Sequence, residues 1–288
     1  MATTDAAARP IRALAADDIA AACALNAAVG WNQVAADWRI MLELGRGFAI
    51  DDHAGNLIAT AITLPYDGFA WISMVLVAAA YRRRGLATRL MRHCIGELTA
   101  AGVVPVLDAT PAGQPVYRAL GFHGVWGMKR LAGPAGRAAP PPMQNLIIKP
   151  IAAADWPMLR AYDAPAFGAE RGRLLMHLQT RRPALGLLAL RYGEIAGFML
   201  GRDGRVASQF GPLVAEDAEV AAALLAQGLA AASGRVYIDL ADRHADVAAW
   251  LAAGGFQVER PLTRMVFGGA MAFDDPARSF VVAGPELG

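Results

Sequence analysis

The chain has few of the residues that disulfide-bonded, metal-binding and membrane-spanning proteins depend on. Its 288 residues include only two cysteines, Cys23 and Cys94, so a disulfide framework is excluded and a reducing, cytoplasmic location is expected. None of its five histidines pairs with another histidine or a cysteine at ligand spacing, and no metal site is predicted. No run of about 18 uncharged apolar residues occurs, which argues against a transmembrane helix.

An excess of charge of one sign is also missing. The 27 basic and 25 acidic side chains leave a formal net charge of +2, which gives no reason to expect nucleic-acid binding. Acidic Asp5, Asp17 and Asp18 near the N-terminus, with no basic segment before the apolar stretch, argue against a signal peptide. The chain contains no G-x-x-x-x-G-K-[ST], and no G-x-G-x-x-G follows a strand, so neither a P-loop nor a Rossmann dinucleotide site is expected.

One basic, glycine-containing turn is the most informative feature that is present. The apolar run 71–77 predicts a strand, residues 82–87 read Arg-Arg-Arg-Gly-Leu-Ala, and an apolar stripe from Leu86 to Leu98 predicts a helix. A helix N-terminus after such a turn offers unpaired N–H donors and a favourable dipole to a phosphate, and Gly85 lets an anion approach the backbone. The alternative is a surface turn that carries three solvated arginines.

Two motifs of this sequence together resemble those of the GNAT superfamily of N-acetyltransferases. Arg82, Gly85 and Ala87 fill the family's pyrophosphate-loop pattern [Q/R]-x-x-G-x-[G/A]. After the predicted strand 104–110, residues 117–122 match its Y-x-x-x-G-F helix. The asparagine that the family often carries at the end of that strand is Thr110 here, which weakens one expected cofactor contact.

The resemblance implies acetyl-CoA as the cofactor and direct acetyl transfer to an amine. In this family a bulge in the fourth strand exposes backbone groups that bind the pantetheine arm, and Tyr117 corresponds to the general acid that protonates the departing thiolate. The competing interpretation of Tyr117 is a tyrosine that packs beside Phe122. The predicted cofactor-binding residues are Val75, Leu76, Val77, Arg82, Arg83, Arg84, Gly85, Leu86, Ala87, Thr88 and Thr110.

The acceptor side is less well defined by the sequence. Aromatic and polar residues after the first helix and along the fourth strand are predicted to contact the substrate, although burial in the core is an alternative for the tryptophans: Trp31, Asn32, Gln33, Tyr66, Trp71 and Ser73. The general base is left open among a water relayed by Ser73, Tyr66 or Asp67, the terminal carboxylate at Gly288, and no base at all for an amine of low pKa.

Self-similarity predicts two tandem domains of mixed α/β type, each a mostly antiparallel sheet flanked by helices. Segments 57–59 and 76–78 recur at 194–196 and 213–215 with an offset of 137 residues. The predicted boundaries are a catalytic domain at 1–132, a Pro/Ala-rich linker at 133–146 and a degenerate copy at 147–288. We expect the copy to bind no CoA, since acidic residues and Trp250-Leu251 stand where the first half has its loop and Tyr117.

Three functions follow from this interpretation. The leading one is an N-acetyltransferase acting on a small-molecule amine, without nucleic-acid or membrane partners. The alternatives are a non-catalytic acyl-CoA sensor or scaffold and a protein or peptide N-acetyltransferase. For the second half, walling off the substrate pocket and forming a homodimer surface are both left open.

Overall fold

This computed structural model describes residues 9–136, 145–269 and 273–288. The strands are β1 (Arg12–Ala13), β2 (Arg46–Asp51), β3 (Leu57–Pro65), β4 (Phe69–Val77), β5 (Val104–Ala109), β6 (Phe122–Pro134), β7 (Leu146–Pro150), β8 (Leu187–Arg191), β9 (Glu194–Arg202), β10 (Ser208–Ala215), β11 (Arg235–Ala241), β12 (Gln257–Phe267) and β13 (Ser279–Val281). The α-helices are α1 (Ile19–Ala28), α2 (Ala35–Leu44), α3 (Leu86–Ala100), α4 (Gln114–Ala119), α5 (Trp156–Phe167), α6 (Gly172–Arg181), α7 (Ala218–Ala231) and α8 (Ala245–Ala253).

All the strands join into one sheet, in which the two halves exchange their last long strands. The order is β1-β2-β3-β4-β5-β12-β6-β11-β13-β10-β9-β8-β7. Strand β12 of the second half therefore lies beside β5 of the first, and β6 of the first half lies beside β11 of the second. The sequence predicted a sheet for each half but not this exchange, because antiparallel pairing depends on tertiary contacts that repeats along the chain do not specify.

Two buried ion pairs hold the exchanged strands in register. Arg264 on β12 stands opposite Asp108 on β5 and donates two hydrogen bonds to its carboxylate, both 2.9 Å long. Arg130 on β6 stands opposite Asp239 on β11 and does the same at 2.8 and 2.7 Å. The two hydrogen bonds make each pair bidentate. All four side chains are almost completely buried, so both pairs are shielded from water. The same cross-link occurs twice, once on either side of the centre of the sheet.

The starts of the two halves repeat each other in structure as well as in sequence. The Asp18 carboxylate accepts a hydrogen bond from the Ala15 N–H before α1 and pairs with Arg12 on β1. Before α5, the Asp155 carboxylate accepts from the Ala152 N–H and pairs with Lys149 on β7. These pairs are again 137 residues apart, so the predicted offset begins at the first strand of each half.

The predicted linker lies partly inside the sheet. Strand β6 continues through Gly133 and Pro134, which pair with β11, and β7 begins at Leu146. Residues 137–144 of that segment lie outside the described residues. Within the described ranges, no helix is long and apolar enough to cross a membrane.

Candidate active site

Strand β4 carries a bulge that separates it from β5. The register between β3 and β4 shifts opposite Ala61, and Met74 in the bulge has a φ of 51°. The Thr60 hydroxyl donates a 2.8 Å hydrogen bond to the Met74 carbonyl, which holds this unfavourable backbone geometry in place. Strand β5 pairs with β4 only along 69–71, so the edge of β4 from residue 72 onwards faces a gap.

The basic turn lies at the wide end of this gap and ends at the N-terminus of α3. Gly85, at φ 80°, precedes the helix, and the first helical hydrogen bond runs from the Arg89 N–H to the Gly85 carbonyl. The N–H groups of residues 86–88 consequently have no acceptor within the helix. A Cβ at Gly85 would meet no atom within 4 Å, so the space beside this backbone is open.

The arginines of the turn are solvent-exposed. Arg82 donates to the Val77 carbonyl at 3.2 Å, Arg84 donates to the Ala80 carbonyl at 3.0 Å, and Arg83 has a φ of 60°. Together they surround the free N–H groups of α3 with positive charge, which favours an anion there.

A cavity of about 180 Å³ occupies the gap between β4 and β5. Six residues predicted from the sequence as cofactor, substrate or catalytic residues line it together: Trp31, Gln33, Ser73, Val75, Thr110 and Tyr117. They come from the turn after α1, from β4, from the end of β5 and from α4. A larger cavity of about 670 Å³ lies beside β1 and β2, where Arg12 and Arg46 are already paired with carboxylates.

Tyr117 presents a protonated phenol to this cavity. Its ring packs edge-on against Phe122, with centroids 6.2 Å apart, and burial raises the pKa of its hydroxyl above the usual value near 10. The phenol therefore keeps its proton at neutral pH and is able to donate it. Both interpretations made from the sequence, packing beside Phe122 and access to the site, describe this side chain.

Thr110 is turned towards the protein rather than fully into the gap. Its hydroxyl accepts from the Gly113 N–H at 3.3 Å, and its carbonyl accepts from the N–H groups of Gly113 and Gln114. The residue thus fixes the turn into α4, the helix that carries Tyr117.

The Asn32 side chain, predicted to contact the substrate, instead forms hydrogen bonds with the backbone of residues 206 and 207. Its side-chain oxygen accepts from the N–H groups of Val206 and Ala207, and its amide donates to the Ala207 carbonyl at 3.0 Å. These bonds fasten the turn after α1 to the hairpin between β9 and β10 of the second half. Because its polar atoms are engaged, Asn32 is a structural residue.

Tyr66 and Trp71 also lie apart from the cavity lining. The Tyr66 hydroxyl donates to the Leu287 carbonyl at 2.6 Å, and the Trp71 indole N–H donates to the Pro285 carbonyl at 3.2 Å. Both rings pack with Phe167 under the segment 283–288. They therefore position that segment, and the core alternative describes Trp71, which has no exposed surface.

The segment 283–288 brings to the cavity a carboxylate that the sequence interpretation missed. Glu286 lines the cavity, is 3% exposed and pairs with Arg202. Gly288, one of the bases considered, instead accepts from Arg171 through its carbonyl oxygen at 3.1 Å. Strand β12 contributes Arg260, and β5 contributes Asp108, whose carboxylate is taken by Arg264. No local pattern marks Glu286 or Arg260, because their position depends on the strand exchange.

The corresponding place in the second half is closed. Only Glu216 and Asp217 separate β10 from α7, and both pair with Arg191. The Asp217 carboxylate accepts from the Val220 N–H at 2.8 Å and so caps α7. Leu251 stands where the first half has Tyr117 and is completely buried. Within the described ranges, no group of side chains is suited to holding a metal ion.

Comparisons with known proteins identify the family of both halves. A model described as Acetyltransferase (GNAT) family matches residues 24–122, and one described as Acetyltransferase (GNAT) domain matches residues 159–279. YitH of Bacillus subtilis (strain 168), an uncharacterized N-acetyltransferase, is 25% identical over 218 residues, covering 76% of this chain and 77% of YitH.

Two solved structures share the fold over nearly the whole chain. A protein from Pyrococcus horikoshii assigned as an acetyltransferase superposes with a TM-score of 0.77 at 20% identity, over 97% of this chain and 95% of that one. A tandem GNAT protein from the clavulanic acid biosynthesis pathway gives 0.66 at 16% identity, over 91% and 99%. With a GNAT family model matched by each half and an N-acetyltransferase among its relatives, the chain belongs to the GNAT superfamily and is an acetyltransferase of the two-domain, tandem type.

Proposed function

We propose that the first half binds acetyl-CoA and transfers its acetyl group to the amine of a small molecule, with Tyr117 as the general acid. The observation that carries this proposal is that Tyr117 and the free edge of β4 face one cavity, next to an uncapped helix N-terminus. The second half, whose helix α7 is capped by its own carboxylate, is proposed to bind no CoA.

The residues of the first half fit the cofactor along its length. The N–H groups of residues 86–88 and the arginines of the turn would hold the pyrophosphate, with Gly85 leaving room beside the backbone. The unpaired edge of β4 at residues 75–77 would pair with the pantetheine arm as an added strand does. Bound there, the cofactor supplies a thioester, and a backbone N–H of the bulge would face the carbonyl oxygen as negative charge develops.

The size and composition of the cavity favour a small acceptor. Its volume of about 180 Å³ suits a compact molecule, and four of its lining residues come from the second half: Arg260, Leu262, Pro285 and Glu286. The second half is therefore proposed to wall the acceptor side of the site.

A glycine pair tests the cofactor site. Gly85→Val places a branched side chain in the pyrophosphate space and should abolish CoA binding in calorimetry. Gly55→Val is the matched control, since Gly55 has a φ of 82°, is equally open at its Cβ position and lies in the turn between β2 and β3. Each change adds about 1–2 kcal/mol of left-handed backbone strain, so equal losses of CoA affinity in both variants would contradict the proposed site.

Release of free CoA thiol separates an enzyme from a sensor. Incubation with acetyl-CoA and a library of small amines should give turnover on at least one acceptor. Tight CoA binding without turnover on any amine or peptide would favour the sensor, and turnover on peptides alone would favour a protein acetyltransferase.

A further inference from the structure

Three residues that line the cavity between β4 and β5 each carry a buried side-chain atom without a hydrogen-bond partner. These atoms are Oε1 of Gln33, Nε of Arg260 and Oε2 of Glu286. Buried donors and acceptors without a partner are rare in folded proteins, and a ligand that completes them is one explanation of such atoms. Gln33 and Glu286 are only 7% and 3% exposed, so bulk water has little access to their side chains as a hydrogen-bond partner.

Glu286 is held so that one carboxylate oxygen remains available. Its Oε1 accepts a short hydrogen bond from Arg202, and Arg202 lies 3.5 Å from the Asp37 carboxylate. Asp37 is held in turn by Arg181 at 2.9 Å and by the Val34 N–H. The ion pairs that connect Glu286, Arg202, Asp37 and Arg181 fix the orientation of the Glu286 carboxylate. Its Oε2 atom is still able to accept hydrogen bonds.

The segment that carries Glu286 is also anchored. Trp71 donates to the carbonyl of the preceding residue, Pro285, and Tyr66 donates to that of the following one, Leu287. A Cβ at Gly284 would lie about 3 Å from Arg202 and Glu286, which shows how closely the chain turns there. The carboxylate is therefore preorganised at the cavity.

Arg260 brings a positive charge that no carboxylate contacts directly, although Asp239, Glu259 and Glu286 lie near enough to favour it. Among the described residues it forms no ion pair, and it is only partly exposed on β12. Burial, followed by repulsion from Arg130, lowers its pKa, so its charged form is disfavoured where it stands. The carboxylate of Asp108 is already engaged by Arg264 and does not compensate it. An anionic group in the cavity would satisfy both the charge and the free Nε–H of Arg260.

We infer that the acceptor is a small zwitterion, an amino acid with a free amine and a free carboxylate, whose amine binds Glu286 and whose carboxylate binds Arg260. This inference rests on the proposed acetyl transfer. Gln33 would accept a further hydrogen bond from the amine. A diamine or polyamine fits less well, because its second cation would meet Arg260 without a counterion.

The placement also assigns the proton acceptor that the sequence left open. Glu286 takes one proton from the ammonium, and the neutral nitrogen attacks the acetyl carbonyl. The C–N bond forms, the C–S bond breaks and the sulfur receives the phenolic proton of Tyr117. Of the two protons that the nitrogen loses overall, one restores Tyr117 and the other leaves to solvent, which gives the amide and free CoA thiol.

Binding to matched ligands tests the inference without requiring turnover. The probes are the common L-amino acids and ω-amino acids of two to six carbons, each with its decarboxylated amine and its carboxamide, titrated calorimetrically into the full chain. At least one amino acid should bind tenfold more tightly than its amine and its amide. Failure of every amino acid to bind, or equal binding of the amines, overturns the inference.

Variants assign the two ends of the ligand. Arg260→Gln should remove the advantage of the amino acid over its amine and Arg260→Lys should retain part of it, whereas Glu286→Gln should weaken amines and amino acids alike. Arg243→Gln, on the exposed turn after β11, is the control. Unchanged ligand preference in Arg260→Gln contradicts the inference.

CoA binding in the same samples reports separately on the proposed function. A chain that binds amino acids but not CoA would overturn the acetyl transfer and keep the ligand assignment. A chain that binds CoA and acetylates only amines without a carboxylate would keep the acetyl transfer and overturn the ligand assignment.

Discussion

The two halves share a fold but differ at the N-terminus of one helix. In the first half, eight residues separate β4 from α3, and the helix begins behind a glycine with no side-chain cap. In the second half, two acidic residues separate β10 from α7, and Asp217 caps the helix. The same donors that the first half leaves open for an anion are satisfied internally in the second.

This difference shows that the second half keeps its share of the sheet while the start of its helix α7 is closed by its own carboxylate. The acidic residues at 216 and 217 repel phosphate and also pair with Arg191, so they stabilise the half that carries them. The second half still contributes Arg260 and Glu286 to the cavity. In the proposed reaction, the acceptor side of the site in the first half would therefore depend on the second half.

Removing the arginine of either central ion pair should have the largest effect. Arg264→Met leaves the buried carboxylates of Asp108 and Asp274 without their cation, and Arg130→Met leaves that of Asp239. Each change should lower the free energy of unfolding by about 3–5 kcal/mol. Urea denaturation measures both. A loss of this size in both variants would confirm that each buried ion pair stabilises the pairing between the two halves. A negligible loss in either variant would contradict it.

The surface pair Arg235–Glu259 provides the control for those variants. Arg235 is about half exposed, so Arg235→Met should cost at most about 1 kcal/mol.

Tyr117→Phe tests the difference between α4, which carries the phenol of Tyr117, and α8, which carries Leu251 at the corresponding position. Loss of the phenolic proton donor should lower kcat at least tenfold, and by up to about 10⁴-fold, with CoA affinity nearly unchanged. Steady-state kinetics and calorimetry give the two values. Tyr192→Phe, at an exposed tyrosine of the second half, should change neither. An unaltered kcat in Tyr117→Phe would remove this residue from the mechanism.

Arg83→Asn should have a smaller effect on the turn itself. Asparagine tolerates the left-handed φ of 60° at this position, so the change removes a charge with little added strain. We expect CoA affinity to fall about two- to fivefold because the arginine is exposed, and the difference should shrink at high salt. An affinity that is unchanged at low salt would show that Arg83 does not face the anion.

The alkaline pH dependence should be the weakest effect. Burial raises the pKa of Tyr117, so the folded protein favours the neutral phenol. We therefore expect no loss of kcat from this group below the ordinary tyrosine pKa of about 10. Ionisation in the unfolded chain then favours unfolding as the pH rises above about 10, so the stabilising contribution is lost towards high pH. A fall in kcat near pH 8 that is absent from Tyr117→Phe would contradict this assignment.

The sequence predicted the parts of the site that are local in the chain. The basic turn, Gly85 and the Tyr117 helix could be predicted because each motif spans a few neighbouring residues and has one structural solution. Glu286 and Arg260 could not be predicted, since they reach the cavity only through the exchange of β12 and the anchoring of residues 283–288. The hydrogen bonds of Asn32 could not be predicted either, because its backbone partners at 206 and 207 are remote in sequence.

The exchange of β12 also determines when the sheet of the first half is completed during synthesis. While the ribosome is still translating the codons before Gln257, the edge of β5 has no neighbour and Asp108 has no cation. The nascent first half is thus an incomplete sheet with an unpaired edge, which is able to pair with other chains until β12 has been synthesised. A proteolytic cut between the halves would not yield an autonomous enzyme, because each fragment would retain a strand that belongs in the other.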